Sequence, residues 1–255
     1  MKRFIPFGIS YDTVNTIDKY ASRLLYISTG LSVLISLIGR YEWFPVLKDP
    51  LIVINISFIC LYAFLDQRSH YIFTQAEMKR RLDWLDHSFG TNFSGKKSEG
   101  YFTNESLEAG LKKLAVNCFE NAHHTNFIIS RMSPVTLTKT IILVLIFIFS
   151  SLIGDREIAR LFFELSLPAL LINKLIRTIF YRTKISHVYD RFKTLFNDLM
   201  TTDFTNKTAE ALRDIVEYET TLAWASTPLD SEIFYKHKDR LAEEWEDLKK
   251  EYKIT

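Results

Sequence analysis

The stretch Ile141-Ile142-Leu143-Val144-Leu145-Ile146-Phe147-Ile148-Phe149 contains nine consecutive apolar residues. In an α-helix such a run is apolar on every side, which is typical of a helix surrounded by lipid or by a large protein core. This run belongs to one of four charge-poor apolar stretches, which are arranged in two closely spaced pairs. They are Leu24–Gly39, Pro50–Leu65, Thr140–Gly154 and Leu161–Tyr181.

The lengths of these stretches are typical of short membrane-spanning helices. The first three contain 16, 16 and 15 residues and no charged side chain. A helix needs about 20 residues to cross a bilayer, and fewer when flanking side chains reach the headgroups. The fourth stretch carries Glu164, Lys174 and Arg177. We predict an all-α integral membrane protein with two transmembrane helical hairpins, or four spans, and helical stalks outside the membrane.

The composition shows that most of the chain lies in water. Hydrophobic residues make up 47% of the 255 residues and charged residues 24%. A net charge of +2 provides no overall field that would attract a polyanion. The cysteines Cys60 and Cys118 do not predict a disulfide framework or a zinc cluster.

The distribution of Lys and Arg predicts the orientation in the membrane. On one side, the residues close to the spans are Lys19, Arg23, Arg68, Lys139, Lys174, Arg177, Arg182 and Lys184; on the other they are Arg40, Lys48, Arg156 and Arg160. Cytoplasmic flanks are enriched in Lys and Arg. Both termini and the bulk of the chain are therefore predicted to be cytoplasmic.

Breaks in the pattern divide the chain into four segments. These are 1–65, with the first hairpin; 66–139, a cytoplasmic helical insertion; 140–181, the second hairpin; and 182–255, the C-terminal helices. Pro45 and Gly154-Asp155-Arg156 predict the hairpin turns. No break follows the second or fourth stretch, so a helical stalk is predicted to continue from each.

Apolar residues at helical spacing support these stalks. They are Tyr71, Met78, Leu82, Leu85 and Phe89 in the first, and Ile185, Val188, Phe192, Leu195 and Leu199 in the second. His87–Ser106 is predicted to be a loop, with Ser106 capping a helix from Leu107 to about Met132 that Pro134 separates from the third span. Further helices are predicted near Ala209–Ala225 and Ser231–Tyr252, the second capped by Ser231.

The segment Gly90-Thr-Asn-Phe-Ser-Gly95-Lys96-Lys97 is close to the phosphate-binding pattern G-x-x-x-x-G-K-[ST]. A P-loop requires Ser or Thr after the lysine and a strand before the loop. Here Lys97 occupies that position and the preceding segment is predicted to be helical. A nucleotide hydrolase is therefore rejected, and a solvated turn is favoured over a loop that cradles a phosphate.

Support for catalysis or metal binding is weak. Glu120-x-x-His123-His124 provides one step of a bundle metal site, but the sequence contains no second Glu-x-x-His step. Neither a Gly-x-Ser-x-Gly nor a His-Glu-x-x-His pattern is present. We predict no catalytic residue, metal ligand or cofactor, and hence a protein that is not an enzyme. A membrane enzyme that uses loop 90–101 is the least favoured alternative.

Basic clusters on the predicted cytoplasmic side are candidates for contact with a partner or with phosphate. They are Lys79-Arg80-Arg81, Lys96-Lys97 and Lys112-Lys113. Aromatic residues lie among them, as a surface that stacks on nucleic-acid bases requires. Anionic lipid is an alternative, and so is the simple enrichment of basic residues beyond a span.

Small and polar residues inside the spans are candidates for helix packing or pore lining. Ser28, Ser32 and Ser36 recur every four residues, a spacing that allows helices to approach closely. Asn55 lies in the second span and Asn173 in the fourth. Polar residues at membrane depth are costly and face partners or water, so packing within one chain and a pore built by a homo-oligomer are both open.

Two segments resemble the small membrane effectors of bacterial antiphage systems, in particular the transmembrane proteins that accompany retron reverse transcriptases. They are Trp84-Leu-Asp-His-Ser-Phe-Gly-Thr-Asn-Phe-Ser-Gly-Lys-Lys-Ser-Glu-Gly100-Tyr101 and Leu114-Ala-Val-Asn-Cys-Phe-Glu-Asn121. The likeness covers these segments and the order hairpin, soluble part, hairpin. Four-span effectors of cyclic-oligonucleotide defence systems are similar in plan.

The resemblance implies abortive infection at the bacterial inner membrane. A reverse transcriptase with its non-coding RNA and DNA would hold the effector inactive until infection releases it to disrupt the membrane. The cyclic-oligonucleotide effectors would instead be triggered by a nucleotide signal. A scaffold that anchors a cytoplasmic enzyme to the membrane is a further alternative.

Overall fold

The computed structural model describes the backbone of residues 4–153 and 158–254, and the side chains of these residues except 147 and 150–169. This part contains six α-helices: α1 (Gly8–Tyr41), α2 (Pro45–Phe89), α3 (Leu111–Ile153), α4 (Ile158–Asp198), α5 (Thr208–Ala225) and α6 (Ser231–Glu251). A short 3-10 helix, Phe204–Lys207, precedes α5. Within the described residues the only β-type pairing is the bridge between Phe4 and Glu99. The all-α prediction is confirmed for this part of the chain.

Among the described residues, three helices are long and apolar enough to cross a membrane, namely α1, α2 and the Leu111–Ile146 part of α3. Their length and composition indicate a membrane protein. α2 has 45 residues and α4 has 41. At about 1.5 Å per residue both exceed the roughly 40–45 Å of a whole bilayer, so they must continue into water. The predicted helical continuations after the second and fourth stretches are confirmed.

The helices divide between two compact units. One, here called the core unit, comprises Met1–Asp12, Ile72–Ser133 and Thr178–Thr255; the other, here called the membrane unit, comprises Thr13–Tyr71 and Pro134–Arg177. The predicted segment boundaries at 65/66, 139/140 and 181/182 fall a few residues away from these limits. The first hairpin turn lies at 42–44, whereas the predicted turn at Gly154-Asp155-Arg156 lies outside the described residues.

The membrane unit has a small apolar core and an apolar exterior. Its buried cluster takes side chains from α1 to α4: Ala21, Leu25, Ile59, Tyr62, Leu143 and Leu171. Large apolar side chains such as Val53 and Phe64 are more than 60% exposed. Large exposed apolar side chains of this kind are typical of a surface that contacts lipid or a partner.

The core unit is built around aromatic rings from three helices, which meet in stacked and edge-to-face contacts. Phe119 of α3 lies 5.2 Å from the ring of Phe196 of α4 and 5.3 Å from that of Trp245 of α6, measured between centroids. Buried aromatic side chains remove large apolar areas from water and dominate core energetics. Four residues of the predicted α4 periodicity, Ile185, Val188, Phe192 and Leu195, are completely buried here.

The stalk of α2, the part of the helix that follows the second apolar stretch, does not bury its apolar face. Four residues of its predicted apolar periodicity, Tyr71, Met78, Leu82 and Phe89, are 40–66% exposed. Leu85, the fifth, is half-buried and packs against the core. The buried face instead carries Glu77, Arg80, Asp83 and Trp84. Charged residues can take buried positions here because other elements supply their partners.

Three local predictions were wrong. α3 runs through Pro134 instead of ending before it. A proline inside a helix costs about 3 kcal/mol. The helix is held on both sides of the proline, because Ile129 before it and Leu143 after it are buried in two different apolar cores. The helix begins at Leu111, not Leu107, because Gly110 has a non-helical φ of +153°. Asp230 caps α6 instead of Ser231, since its carboxylate accepts hydrogen bonds from the first backbone N–H groups.

Candidate functional site

A chain of hydrogen bonds joins α1 to α2 inside the membrane unit. Ser28 Oγ donates to Asn55 Oδ1 at 2.6 Å, and Asn55 Nδ2 donates to Ser32 Oγ at 2.9 Å. Ser36 Oγ donates to the carbonyl oxygen of Ser32 at 2.9 Å. All four side chains are buried. Because both ends of the Asn55 amide are used within this helix pair, the geometry favours packing within one chain over pore lining.

Asn173 does not belong to this chain of hydrogen bonds. It lies on the exposed surface of α4. A polar side chain that faces outward at membrane depth is costly in lipid and is stabilised by a partner or by water. Asn173 is therefore the predicted span residue best placed to meet another chain or an aqueous path.

The predicted basic clusters separate into exposed and internal residues. Lys79, Lys96, Lys97 and Lys112 are exposed and Lys113 is half-buried. Arg80 is only 5% exposed, and Arg81 is partly buried. The lysines remain candidates for contact with a partner, whereas the arginines have internal roles.

Arg80 is the centre of a buried ion-pair network. Its Nε lies 2.9 Å from Glu77 Oε2, and its Nη2 donates to both carboxylate oxygens of Glu219 at 2.8 Å. Arg81 Nε binds Glu219 Oε2 at 2.7 Å, and the Tyr11 hydroxyl donates to Glu77 Oε1. Burial opposes the charge of Arg80, but the Glu77 and Glu219 carboxylates outweigh it and raise its pKa. Arg80 could contact an external phosphate only by breaking these bonds.

A second set of ion pairs joins α5 to α4. Arg191 Nε lies 3.3 Å from Asp214 Oδ1, and Arg191 Nη1 pairs with Glu217 Oε2. Lys184 Nζ lies 3.8 Å from the other oxygen of Glu217. Asp214 is completely buried. These ion pairs hold α5 against α4, so we assign the side chains that form them a structural role.

The loop that resembles a P-loop is closed by carboxylates of its own chain. Asp86 accepts hydrogen bonds from the backbone N–H groups of Phe93 and Ser94, each at 2.7 Å, and from the hydroxyls of Thr91 and Ser94. Burial opposes its charge, but the Ser94 hydroxyl and these other donors lower its pKa to about 2. The amides that would cradle a phosphate are thus already occupied, which favours the structural turn.

Asp83 fixes the other end of the same loop. It accepts from the backbone N–H and the hydroxyl of Ser98 at 2.7 and 2.6 Å. His87 Nε2 lies 2.8 Å from the Ser98 carbonyl oxygen. Lys96 and Lys97 remain exposed at the loop tip.

Glu120 lies in a buried polar cluster that no pattern in the sequence predicts. The Thr103 hydroxyl donates to Glu120 Oε1 at 3.0 Å, and Asn104 Nδ2 donates to Glu120 Oε2 at 2.7 Å. Trp245 Nε1 donates to Thr103 Oγ1 at 3.2 Å. Burial raises the pKa of Glu120 to about 7 even though these hydrogen bonds and Lys249 act in the opposite direction. The cluster joins the 101–110 loop, α3 and α6.

The single Glu-x-x-His step does not converge on a common point. His123 Nε2 faces Glu244 Oε2 at 3.6 Å, away from the partners of Glu120, and its burial lowers its pKa. Among the described side chains, no group of three His, Cys, Asp or Glu residues is arranged to hold a metal ion.

Some of these internal residues leave a signal in the sequence. Glu77 and Arg80 are three apart, and Asp83 and Asp86 precede a loop rich in Ser and Thr. No local pattern predicts that Glu219 pairs with Arg80, because the two residues are 139 positions apart in the sequence.

Comparisons with protein families, curated proteins and solved structures find no match to this chain. The fold defines the class of the chain: the described residues are almost entirely helical, include three helices that could cross a membrane, and divide into two compact units.

Proposed function

We propose that this protein is a membrane effector of a bacterial antiphage system that acts by abortive infection. A reverse transcriptase with its non-coding RNA and DNA binds the core unit and keeps the effector inactive. Release from that partner allows the apolar helices to disrupt the inner membrane. The proposal rests on the resemblance of residues 84–121 and on the combination of apolar helices with a separate core unit.

The observation that carries the proposal is an apolar stripe on α2 that the fold leaves exposed. Met78 is 52% exposed, Leu82 is 40% exposed and Phe89 is 42% exposed. Phe93, in the following loop, is 63% exposed. Exposed apolar surface on the part of α2 that continues beyond its apolar stretch is typical of a protein interface, so this stripe is a docking surface for a partner.

Basic residues accompany the stripe. Lys79 lies beside Met78, and Lys96 and Lys97 follow Phe93; all three lysines are exposed. Exposed lysines supply the sequence-independent attraction to nucleic-acid phosphates. A partner that offers both apolar protein surface and phosphate, such as a reverse transcriptase with bound RNA and DNA, suits this combination.

The proposed topology has four spans with both termini in the cytoplasm. The excess of Lys and Arg beside the spans supports it. Short spans favour bilayer thinning and helix association in a thicker bilayer, and outward-facing Asn173 on α4 offers a polar contact for a second copy of the chain. We expect several copies to form the membrane lesion.

The central experiment is expression of the chain with and without its partner, with a membrane-potential dye as readout. Expression alone is expected to depolarise cells, and liposomes that contain the purified protein are expected to leak an enclosed dye. Met78→Lys with Leu82→Lys is expected to abolish protection by the partner. Leu212→Lys with Val216→Lys, on the exposed surface of α5, is the matched control. Liposomes that stay intact, together with unaffected cells, would rule out the effector.

A scaffold that anchors a cytoplasmic enzyme is the second candidate. The bonded Ser28–Asn55–Ser32 chain favours it, because a hairpin with satisfied polar groups has no intrinsic need to rearrange. Asn173→Leu separates the two candidates, with Ser57→Leu on exposed α2 as control. If the protein is an effector, Asn173→Leu should abolish leakage and Ser57→Leu should not. If it is a scaffold, neither the unchanged protein nor either variant should cause leakage, and all three should bind the partner. A cyclic oligonucleotide that triggers leakage in the absence of a reverse transcriptase would identify the signalling alternative.

A further inference from the structure

The turn that joins α1 to α2 in the membrane unit carries a dense group of exposed apolar side chains. α1 ends at Tyr41 and α2 begins at Pro45. Residues 41–47, here called the α1–α2 tip, contain five large apolar side chains that are half or more exposed: Tyr41, Trp43, Phe44, Val46 and Leu47. Phe44 is 72% exposed and Val46 is 84% exposed. A turn that projects into water is normally rich in small and polar residues, so this composition indicates a different environment.

The backbone of the α1–α2 tip holds these side chains outward in a strained conformation. Glu42 has a φ of +53° and Phe44 a φ of +48°. Residues other than glycine seldom adopt this left-handed conformation, and bulky ones least of all. Tyr41 and Trp43 stack with their ring centroids 5.2 Å apart, yet both are more than half exposed. Strain of this kind persists where the surroundings stabilise it, and the surroundings of exposed rings lie outside the chain.

A hydrogen bond within the membrane unit fixes how far the tip lies from the middle of the apolar stretches. Ser32 lies at the middle of Leu24–Gly39, and Asn55 Nδ2 of α2 donates to its hydroxyl at 2.9 Å. The end of α1 is nine residues from Ser32, and the start of α2 is ten residues from Asn55, or about 14–15 Å at 1.5 Å per residue. Half the hydrocarbon thickness of a bilayer is about 15 Å. If α1 and α2 span a membrane, the tip therefore lies where hydrocarbon meets the headgroups.

The charges beside the tip agree with that depth. Arg40 and Lys48 are positive, and Glu42 and Asp49 are negative, so this segment has no net charge. Charged side chains near the end of a span reach towards the headgroups and keep the segment from entering the hydrocarbon further. Trp and Tyr favour the same layer, because their rings are apolar and carry one polar group each.

We infer that the α1–α2 tip is a lipid-binding surface that lies in the interfacial layer of a phospholipid bilayer. The rings of Tyr41 and Trp43 lie at the headgroups, and the other apolar side chains contact the outer part of the acyl chains. Because the segment has no net charge, zwitterionic phospholipid is sufficient. The tip continues the exposed apolar exterior of the same two helices, which includes Val53, and this continuity favours lipid over a protein partner.

The inference rests on one part of the proposed function, the crossing of the membrane by α1 and α2. It is independent of the antiphage role, because an effector and a scaffold would both use such an anchor to fix the depth of these helices.

The test measures contact between Trp43 and brominated lipid by fluorescence quenching. The full chain is reconstituted in phosphatidylcholine liposomes whose acyl chains carry bromine either near the headgroup or near the chain end. The chain has four tryptophans, so the Trp43 signal is the difference between the unchanged protein and Trp43→Phe. Bromine near the headgroup is expected to cause the greater loss of that signal. Added phosphatidylglycerol is expected to leave the loss unchanged, since the segment has no net charge.

Two further variants, both in the Trp43→Phe background, calibrate the depth. Ile54→Trp is the matched control, because Ile54 is 44% exposed and lies next to Asn55. Bromine near the chain end is expected to cause the greater loss there. Val46→Trp is a second probe of the tip and is expected to repeat the result of Trp43.

Three results would overturn the inference. Quenching of Trp43 by aqueous iodide and by neither lipid would place the tip in water. Resistance to iodide and to both lipids would mean that protein covers it, such as a second copy of the chain. Greater loss from bromine near the chain end at Trp43 and Val46→Trp would place the tip in the hydrocarbon. In each case quenching of Ile54→Trp by lipid would leave the membrane crossing intact, whereas its absence would refute the proposed function as well.

Discussion

Arg80 lies on the buried face of α2, and its guanidinium binds carboxylates from two different helices. A buried ion pair contributes little net stability, because desolvation offsets the attraction between the charges. The Arg80 network instead affects how the helices are arranged, because Glu219 of α5 can be buried against α2 only where it meets Arg80 and Arg81. The network therefore determines which surface of α5 packs on α2.

Arg80→Met is expected to destabilise the protein by about 3–5 kcal/mol, because it leaves Glu77 buried without a cation and Glu219 with only the partly exposed Arg81. Unfolding in detergent, followed by tryptophan fluorescence, measures the loss. Arg81→Met is the control: this side chain is 33% exposed, so its loss is expected to cost about 1 kcal/mol or less. Equal losses for the two variants would contradict the central role of Arg80.

Glu120 makes stability depend on pH. Its pKa is about 7 in the folded protein and about 4.3 in an unfolded chain. Between these values the folded state binds more protons than the unfolded state, so stability falls as pH rises and levels off above about pH 7. The full effect is of the order of 3 kcal/mol.

Glu120→Gln is expected to remove this dependence, since a neutral amide keeps the shape of the protonated carboxyl. Unfolding free energies measured from pH 4.5 to 8 test the prediction, with exposed Glu243→Gln as the matched control. A steep pH dependence that persists in Glu120→Gln would assign the effect to another group.

At the scale of elements, the first hairpin depends on a polar contact between two apolar helices. Lipid provides no hydrophobic drive for helix association, so hydrogen bonds and close packing must supply it. Ser28 and Ser32 allow α2 to approach α1, and Asn55 connects the two helices. The regular serine spacing therefore has a packing role within the hairpin.

Asn55→Leu is expected to weaken the hairpin by about 1–2 kcal/mol, the upper range for hydrogen bonds between membrane helices. Reversible unfolding in mixed detergent micelles measures the change. Ser57→Ala, which removes only a bond to the carbonyl oxygen of Val53 in the same helix, is expected to have a smaller effect. If Ser57→Ala were as harmful, the contact between α1 and α2 would not be the cause.

For the whole molecule, the proposed topology can be tested with single cysteines. Cys118 is completely buried, and burial and then Glu219 raise its pKa, so it should resist labelling. Cys60 lies in a predicted span. In spheroplasts, a membrane-impermeant maleimide is expected to label Trp43→Cys in the first turn and to reach Asn92→Cys only after permeabilisation. The opposite pattern would reverse the orientation.

The helical class, the long apolar helices and the helical continuations after the second and fourth apolar stretches could all be predicted from the amino-acid sequence. These features depend on the apolar period and the length of each segment, which are local properties of the chain. The serine series and Asn55 were also recognisable, because their spacing within each helix is local.

Which charged residues are internal could be seen only from the folded chain. Arg80 belongs to a basic cluster by its sequence, yet Glu219 binds it from 139 residues away. Asp86 occupies the amides of the loop that resembles a P-loop, and α3 continues through Pro134. In each case the outcome depends on what the folded chain places beside a residue, because the free energy of a buried charge or a lost hydrogen bond is set by its neighbours.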